Sequence, residues 1–170
     1  VKNISRQYNN ENKIEVFNID EIILDSVDLT KNKWCTESAI KGISINVVPI
    51  LESRAKIKGN TTEIREVFIN IIKNAIDAMP KGGKINIHSY NLDGFVIIDI
   101  KDNGIGMNEE VKKRLFEPFF TSKGIKGSGL GLSVSYKIIE SHGGYVRVDS
   151  KENFGTCFTI KLPVSNEISI

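Results

Sequence analysis

The clearest pattern of apolar and polar positions lies in residues 62–79. Apolar side chains recur there three or four positions apart, as on one face of an α-helix. They are Ile64, Val67, Phe68, Ile71, Ile72, Ala75, Ile76 and Met79. Asn60 and Glu63 have the spacing of a capping box, and Pro80 with the glycine pair that follows can end a helix. The pattern therefore predicts a central amphipathic helix over residues 62–79.

Alternating apolar and polar positions, or short apolar runs, predict strands elsewhere in the chain. The predicted strands are residues 43–47, 85–90, 95–101, 145–150 and 156–162. Asp93 and Gly94 are typical of a hairpin turn between the second and third of them. Two more helices are predicted, one that starts at Asn18 or Asp20 and one over residues 129–141. Such a mixture predicts an α+β fold, a two-layer sandwich in which helices cover one face of a mixed, largely antiparallel sheet.

The chain divides into a polar start, a patterned body and a short tail. Residues 1–17 are rich in Asn, Lys and Glu, which is typical of a linker or a frayed helix end. Residues 18–165 carry the predicted elements, and residues 166–170 form the tail. Since the chain has 170 residues, we expect one domain that buries its core without disulfides or structural metals.

Charge and composition exclude several classes of protein. The 23 Lys and Arg and the 21 Asp and Glu are interspersed, so we expect no nucleic-acid partner. Cys35 and Cys157 lie far apart without metal-type spacing, which favours a reducing, cytoplasmic location. The longest apolar run, residues 95–98, is too short to cross a bilayer, so we expect no direct membrane contact by this chain. Val1 suggests a fragment, whose parent protein could still be membrane-anchored.

A stripe of polar residues borders the apolar face of the predicted central helix. Glu66, Asn70 and Asn74 follow one another at intervals of four, with Lys73 and Asp77 nearby. Two asparagines inside a helix need a reason, because asparagine is a mediocre helix former. Their amide oxygens could bind Mg²⁺ at the rim of a pocket, or the stripe could be a solvated helix face. The stripe alone leaves both interpretations open.

A carboxylate and two glycines follow the third predicted strand, in the run Asp102, Asn103, Gly104, Ile105 and Gly106. The carboxylate of Asp102 can accept a hydrogen bond from an exocyclic amine, and glycine lets the backbone approach a planar ring. The alternative is an ordinary glycine-rich turn. Residues 102–128 as a whole are too long for an ordinary connection, which indicates either a functional lid or disorder.

A second glycine-rich run precedes the last predicted helix. It consists of Gly127, Ser128, Gly129, Leu130, Gly131 and Leu132. Backbone amides at the start of a helix, with no Cβ atom in the way, suit a phosphate group. The P-loop pattern is absent, and the dinucleotide pattern fails because Leu132 stands where its third glycine belongs. The alternative is a flexible helix cap.

Five short motifs, taken in order, make a recognisable set: Asn70 with Asn74 and Ala75; Asp102 with Gly104 and Gly106; Glu117, Pro118, Phe119 and Phe120; Gly127 with Gly129 and Gly131; and Gly155 with Thr156. The set resembles the N, G1, F, G2 and G3 boxes of the ATP-binding catalytic domain of bacterial sensor histidine kinases. That domain has a Bergerat-type fold, shared with Hsp90, DNA gyrase B and MutL ATPases. The resemblance covers about residues 40–163 and implies that residues 18–165 are an ATP-binding catalytic domain.

The resemblance implies ATP and Mg²⁺ as cofactors and names three catalytic residues. Asn74 would hold Mg²⁺ between the ATP phosphates, and Asn70 would support it or a water molecule. Lys123 would contact the γ-phosphate. Catalysis of this kind depends mainly on positioning and on stabilisation of charge.

The other boxes would bind the base and close the site. Asp102 would accept a hydrogen bond from the adenine amino group, and Thr156 would reach the same edge through water. Phe116, Phe119 and Phe120 would anchor the lid on the core. The remaining ATP-binding residues implied are Asp77, Ala78, Gly104, Ile105, Gly106, Gly127, Ser128, Gly129, Leu130, Gly131 and Leu132.

One position favours a kinase over an ATPase. In the ATPase branch, a glutamate that activates water stands where this chain has Asn70, and Glu66 lies a further turn away. Because an amide is a poor base, the resemblance implies phosphoryl transfer to a side chain rather than to water. The alternatives are a stand-alone ATPase, a protein-serine kinase of the same superfamily, or a nucleotide-binding module without catalysis.

The acceptor histidine is expected outside this chain. Sensor kinases phosphorylate a histidine, followed by an acidic residue, on a separate dimerisation hairpin, and neither His88 nor His142 is followed by an acid. We therefore interpret both as structural, and residues 1–17 as a linker or the end of that hairpin. The implied partners are the histidine-bearing dimerisation domain of the parent protein and a downstream response regulator.

Overall fold

The structure, a computed structural model, describes residues 13–121 and 129–166. Its strands are β1 (Glu15–Asn18), β2 (Ile45–Leu51), β3 (Lys56–Gly59), β4 (Gly83–Leu92), β5 (Phe95–Asp102), β6 (Tyr145–Lys151) and β7 (Gly155–Pro163). Its helices are α1 (Ile19–Lys31), the π-helical segment Asn32–Glu37, α2 (Ser38–Ile40), α3 (Thr61–Asp77), α4 (Glu109–Arg114) and α5 (Gly131–Ser141). None of the helices in this described part is long and apolar enough to cross a membrane.

Five strands form the main sheet, in the order β2-β4-β5-β7-β6. β2 and β4 run parallel, and the other neighbouring pairs are antiparallel. Alternate side chains are buried, as in β4, where Ile85, Ile87 and Ser89 point inward. Apolar residues of α1, α3 and α5 join the inward-facing strand residues in one core. The predicted α+β sandwich with a mixed, largely antiparallel sheet is confirmed.

α3 forms the centre of this core and matches the predicted central helix to within two residues. Asn60 caps it, because its Oδ1 accepts hydrogen bonds from the backbone N–H groups of Thr62 and Glu63 at 2.9 and 3.2 Å. Phe68 and Ile72 are fully buried, and each such side chain stabilises the fold by about 1.5–3 kcal/mol. Since the polar stripe lies on this helix, the core also fixes where the stripe points.

The elements that the sequence did not predict are short or locally irregular. β1 and β3 have four residues each, too few to show a period. β2 runs through Pro49 to Leu51, beyond the predicted end at residue 47, because β2 is an edge strand and a missing N–H is tolerated there. β1 lies mostly within the predicted linker, residues 1–17. Residues 1–12 and 167–170 lie outside the described residues, so the division of the chain stays a prediction.

β1 and the last described residues attach to the same short strand. β1 pairs antiparallel with β3, with Glu15 opposite Gly59. The backbone N–H of Ser165 donates to the carbonyl of Lys56 on β3 at 2.7 Å. The two flanking segments therefore meet at β3. Val164, next to Ser165, donates its backbone N–H to the carbonyl of Gly94, in the turn that precedes β5.

Both histidines have structural partners. His142 Nδ1 lies 2.7 Å from the carbonyl oxygen of Ile138, and its Nε2 lies 3.0 Å from the backbone nitrogen of Asn60. Because a carbonyl only accepts and an N–H only donates, Nδ1 carries the proton and Nε2 accepts. His142 thus ties the end of α5 to the start of α3. His88 pairs with Glu52 at 3.0 Å.

Candidate functional site

The polar stripe of α3 is divided between solvent and the start of α5. Glu66 is exposed, whereas Asn70 and Asn74 are half-buried. Asn70 Nδ2 donates weakly to the carbonyl of Gly131 at 3.4 Å and to Oγ of Ser135 at 3.3 Å. Asn70 therefore faces the first turn of α5, and Asn74 lies one helical turn further along. The solvated-face interpretation holds for Glu66.

The end of α3 is held against the glycine-rich loop that follows β5. The backbone N–H of Ile105 donates to the carbonyl of Ala78 at 2.9 Å. A Cβ atom on Gly104 would collide with the same carbonyl oxygen, so the loop can lie this close only because position 104 has no side chain. Asp77, one residue before Ala78, forms an ion pair of 2.6 Å with Lys33 of the π-helical segment.

Asp102 ends β5 as a buried carboxylate, with 3% of its surface exposed. Its Oδ1 accepts the N–H of Gly104 at 2.8 Å, and the backbone amide of Thr156, its partner across the ladder, also bonds to the carboxylate. Burial raises the pKa of Asp102 above 3.8, and this effect outweighs the lowering by the two amides. A carboxylate has about four acceptor positions, so Asp102 can also accept from a ligand.

Two glycines with left-handed backbones lie where the loop after β5 meets the turn before β7. Gly106 has a φ of 64° and Gly155 has a φ of 91°. A Cβ atom on Gly106 would collide with the carbonyl oxygen of Lys151, and one on Gly155 would collide with that of Asp102. The loop after β5 and the turn before β7 can therefore approach one another only with glycine at both positions.

A network of hydroxyl groups lies beside Asp102. Thr156 is buried, and its Oγ1 lies 2.9 Å from Oγ of Ser150. Ser150 Oγ also donates to the carbonyl of Gly155 at 3.0 Å and accepts the N–H of Met107 at 2.9 Å. Thr156 thus lies next to Asp102, and its contact with a base stays a prediction, whereas Ser150 and Met107 were not predicted.

The three phenylalanines predicted to anchor the lid differ in their surroundings. Phe116 borders the core, with its ring centroid 5.1 Å from that of Tyr136 on α5. The guanidinium carbon of Arg114 lies 4.5 Å from the ring centroid of Phe120. Phe119 is 75% exposed, so the prediction that it anchors the lid is wrong. Its backbone is left-handed, with a φ of 64°, and its ring points into solvent.

The second glycine-rich run is described from Gly129 onward. Gly129 has a φ of 67°, and its carbonyl accepts the N–H of Phe119 at 3.0 Å. Leu130 is at the N-cap position of α5 and provides no side-chain cap, while Leu132 packs against the core. The predicted residues outside the described part of the chain are Lys123, Gly127 and Ser128.

The described motifs meet at one end of the sheet. Three contacts join them: Asn70 with Gly131, Ala78 with Gly104, and Asp102 with Thr156. A buried acceptor therefore lies on the sheet, and half-buried amides and an uncapped helix start lie on the helical layer. This arrangement suits a ligand with an exocyclic amine at one end and an anionic group at the other.

The family model described as histidine kinase-, DNA gyrase B- and HSP90-like ATPase matches residues 59–166. This chain belongs to that ATPase family. Sporulation kinase E of Bacillus subtilis (strain 168) is 42% identical to it over 147 residues, which are 86% of this chain and 19% of the kinase. The ATPase domain therefore spans about a fifth of the length of this curated relative.

Solved structures of histidine kinases share the fold of this ATPase domain. The nucleotide-free catalytic domain of histidine kinase ThkA has a TM-score of 0.74 and 31% identity, covering 89% of this chain and 96% of that one. Histidine kinase ThkA in complex with response regulator protein TrrA has a TM-score of 0.70 and 30% identity, covering 95% and 45%. The chain is thus an ATP-binding domain homologous to those of sensor histidine kinases.

Ser150 of the ATPase domain was not predicted from the sequence, because its contact with Thr156 depends on the register of two strands. It lies opposite Thr156 in the β6–β7 ladder. The two strands were predicted over residues 145–150 and 156–162, and pairing them from the gap between them would have placed Ser150 opposite Thr156. The contact with Met107 carried no sequence signal, since it joins a backbone N–H to a side chain 43 positions away.

Proposed function

We propose that this ATPase domain binds Mg·ATP and positions the γ-phosphate for transfer to a histidine on a separate dimerisation domain of the same parent protein. The observation that carries the proposal is the buried carboxylate of Asp102, enclosed by glycine-dependent turns and adjacent to Thr156. The similarity to sporulation kinase E and to ThkA supports it, because both are kinases by name.

The base is assigned to the sheet side of the site. Asp102 accepts a hydrogen bond from the adenine amino group, and Thr156 reaches the same edge through water. Gly104, Ile105 and Gly106 form the wall along the purine. The close packing of Gly104 on Ala78 supports this assignment, because it leaves backbone rather than side chains beside the carboxylate.

The amides of α3 fit a magnesium ion. Asn70 directs its carboxamide toward the first turn of α5, and Asn74 carries a second carboxamide one turn further on. Neutral oxygen ligands combined with phosphate oxygens are a set that Mg²⁺ prefers. We assign the ion to Asn74, with Asn70 in support. When bound, the ion would neutralise charge on the phosphates.

The phosphates are assigned to the start of α5. No side chain caps this helix at Leu130, and the first amides of a helix carry partial positive charge. Gly129 and Gly131, which flank Leu130, add no side chain to this turn. The other ATP contacts rest on the resemblance and stay predictions, namely Asp77, Phe116, Phe120, Lys123 at the γ-phosphate, Gly127, Ser128 and Leu132.

Transfer to a side chain is favoured over hydrolysis by the surroundings of Asn70. Its amide bonds to α5 and is a poor base, and the nearest carboxylate of the stripe, Glu66, is exposed one turn away. Water beside the γ-phosphate therefore lacks an activating group on α3. This argues against the stand-alone ATPase.

The histidine-bearing domain and a response regulator are the proposed partners. The chain spans about a fifth of sporulation kinase E, so the acceptor belongs to another part of the parent protein. Histidine kinase ThkA has been solved in complex with response regulator protein TrrA, which supports a response regulator as the downstream partner.

With γ-labelled ATP and Mg²⁺, this chain alone should bind nucleotide but acquire no stable phosphohistidine. His88 and His142 are held by structural contacts, so neither is free to align with a γ-phosphate bound at the start of α5. Adding the histidine-bearing hairpin of the parent protein should place label on the hairpin, and Asn74→Ala should abolish it. Glu66→Gln, on the exposed part of the same stripe, is the control and should retain labelling. Label on His88 or His142, or labelling that survives Asn74→Ala, would contradict the proposal.

The Asp102 carboxyl should titrate above 3.8 in the free chain and at lower pH with adenosine bound. An amine that donates to the carboxylate favours its charged form, so binding lowers the pKa. The complex then holds fewer protons than the free chain, and adenosine affinity should fall as the pH drops through the raised pKa. Carbon-13 NMR of the aspartate carboxyls measures both midpoints. If adenosine leaves the Asp102 midpoint where it was, the base is bound elsewhere.

A further inference from the structure

The Ser150 hydroxyl uses its full hydrogen-bonding capacity inside the site. A hydroxyl group has one proton to donate and two lone pairs to accept with. Around Ser150 Oγ lie the carbonyl of Gly155 at 3.0 Å, the N–H of Met107 at 2.9 Å and the hydroxyl of Thr156 at 2.9 Å. These three partners match one donor and two acceptor positions.

The chemistry of two partners fixes the direction of the third bond. The Gly155 carbonyl can only accept, so it takes the Ser150 proton, and the Met107 N–H can only donate, so it occupies one lone pair. One lone pair of Ser150 remains, and the Thr156 hydroxyl therefore donates to it. Because Thr156 has a single hydroxyl proton, its oxygen offers only lone pairs to any other neighbour.

We propose that Ser150 is a positioning residue that makes Thr156 a hydrogen-bond acceptor and thereby selects nucleotides whose base carries an amino group. The inference rests on the proposed ATP site and differs from it in one point: the Thr156 oxygen accepts directly from the amino group of the base, without a bridging water, since such a water could bond to an amine and to a carbonyl alike. The Asp102 carboxylate also only accepts hydrogen bonds. Both side chains therefore favour adenine, whose amino group donates them. Hypoxanthine carries a carbonyl at the position of the adenine amine, and neither Asp102 nor Thr156 donates a hydrogen bond to it.

The test compares ATP with inosine triphosphate, which differ at that position of the base. Dissociation constants with Mg²⁺ are measured by calorimetry, and the readout is the ATP preference, the ratio of the two. Ser150→Ala frees the Thr156 proton to turn toward the base, so the ATP preference should fall roughly three- to tenfold, the range of one neutral hydrogen bond. Ser150→Thr keeps the hydroxyl and should restore most of the preference.

Two further variants separate this role from general damage. In a Thr156→Val background, Ser150→Ala should leave the remaining preference unchanged, because the group through which it acts is gone. Thr159→Val is the matched control: Thr159 lies on the same strand and its hydroxyl donates to Asp99 at 2.6 Å. Its ATP preference should equal that of the unmodified chain. If Ser150→Ala does not fold, Ser150→Cys keeps the shape with a weak acceptor and should show the same fall.

Each outcome decides the inference. It is overturned if Ser150→Ala, or Ser150→Cys in its place, weakens ATP and inosine triphosphate equally or keeps the original ratio. It is also overturned if the Ser150→Ala effect persists in the Thr156→Val background. If the unmodified chain does not bind Mg·ATP at all, the proposed function fails as well, and this result is distinct from an unchanged ratio.

Discussion

Asp102→Asn should lower the ATP affinity of this chain ten- to a hundredfold. The substitution puts an NH₂ donor where one acceptor oxygen stood, so it opposes the adenine amine instead of binding it. A hydrogen bond to a charged group contributes about 1.5–3 kcal/mol, and each 1.4 kcal/mol or so is a factor of about ten in affinity. Calorimetric titration with Mg·ATP measures the change.

Asp99→Asn provides the matched control for this experiment. Asp99 lies on the same strand, three residues earlier, and accepts from Thr159 at 2.6 Å instead of bordering the site. It should bind ATP like the unmodified chain. Equal affinities of the Asp102 and Asp99 variants would show that the base does not bind at the end of β5.

Gly155→Ala should destabilise the fold by about 2–5 kcal/mol. Left-handed backbone costs a non-glycine residue about 1–2 kcal/mol, and overpacking against a fixed group adds about 1–3 kcal/mol. The new Cβ atom would collide with the carbonyl oxygen of Asp102, which the β5–β7 ladder holds in place. Urea denaturation gives the free energy of unfolding of both proteins.

Gly143→Ala separates the cost of the left-handed backbone from the cost of the collision. Gly143 also has a left-handed backbone, with a φ of 70°, but a Cβ atom there would lie 3.6 Å from Pro163, an ordinary contact. It should therefore show the backbone cost of about 1–2 kcal/mol without the collision. Equal losses for the two variants would mean that the turn at Gly155 can move away from Asp102.

The parts of the fold that the sequence predicted well are those with a long period or a distinctive chemistry. α3 was placed to within two residues because eight apolar positions repeat over five turns. Asp102 and Thr156 were chosen separately from two motifs, and the ladder brings them opposite each other. Both predictions depend on patterns within one segment, which a sequence displays directly.

The remaining features depend on contacts between segments. Asp77 pairs with Lys33 because a π-helical segment brings that lysine to the end of α3. No periodicity of apolar residues predicts such a segment. Phe119 is turned outward by a left-handed backbone, which a phenylalanine rarely adopts and a sequence does not display. Ser150 acquires its role only from the register of β6 and β7.

The joint attachment of both flanking segments at β3 places them at the opposite end of β5 from the candidate site. Val164 bonds at Gly94, beside the start of β5, and Asp102 ends the same strand, so the candidate site lies roughly 26 Å along β5 from this attachment. A rotation of the whole domain by about 10° about this end would move the site by roughly 4–5 Å, somewhat more than the separation of about 3–3.5 Å between reacting atoms in a near-attack geometry. In the proposed kinase, a small rotation of the domain about its flanking segments would therefore be enough to change the distance between nucleotide and acceptor.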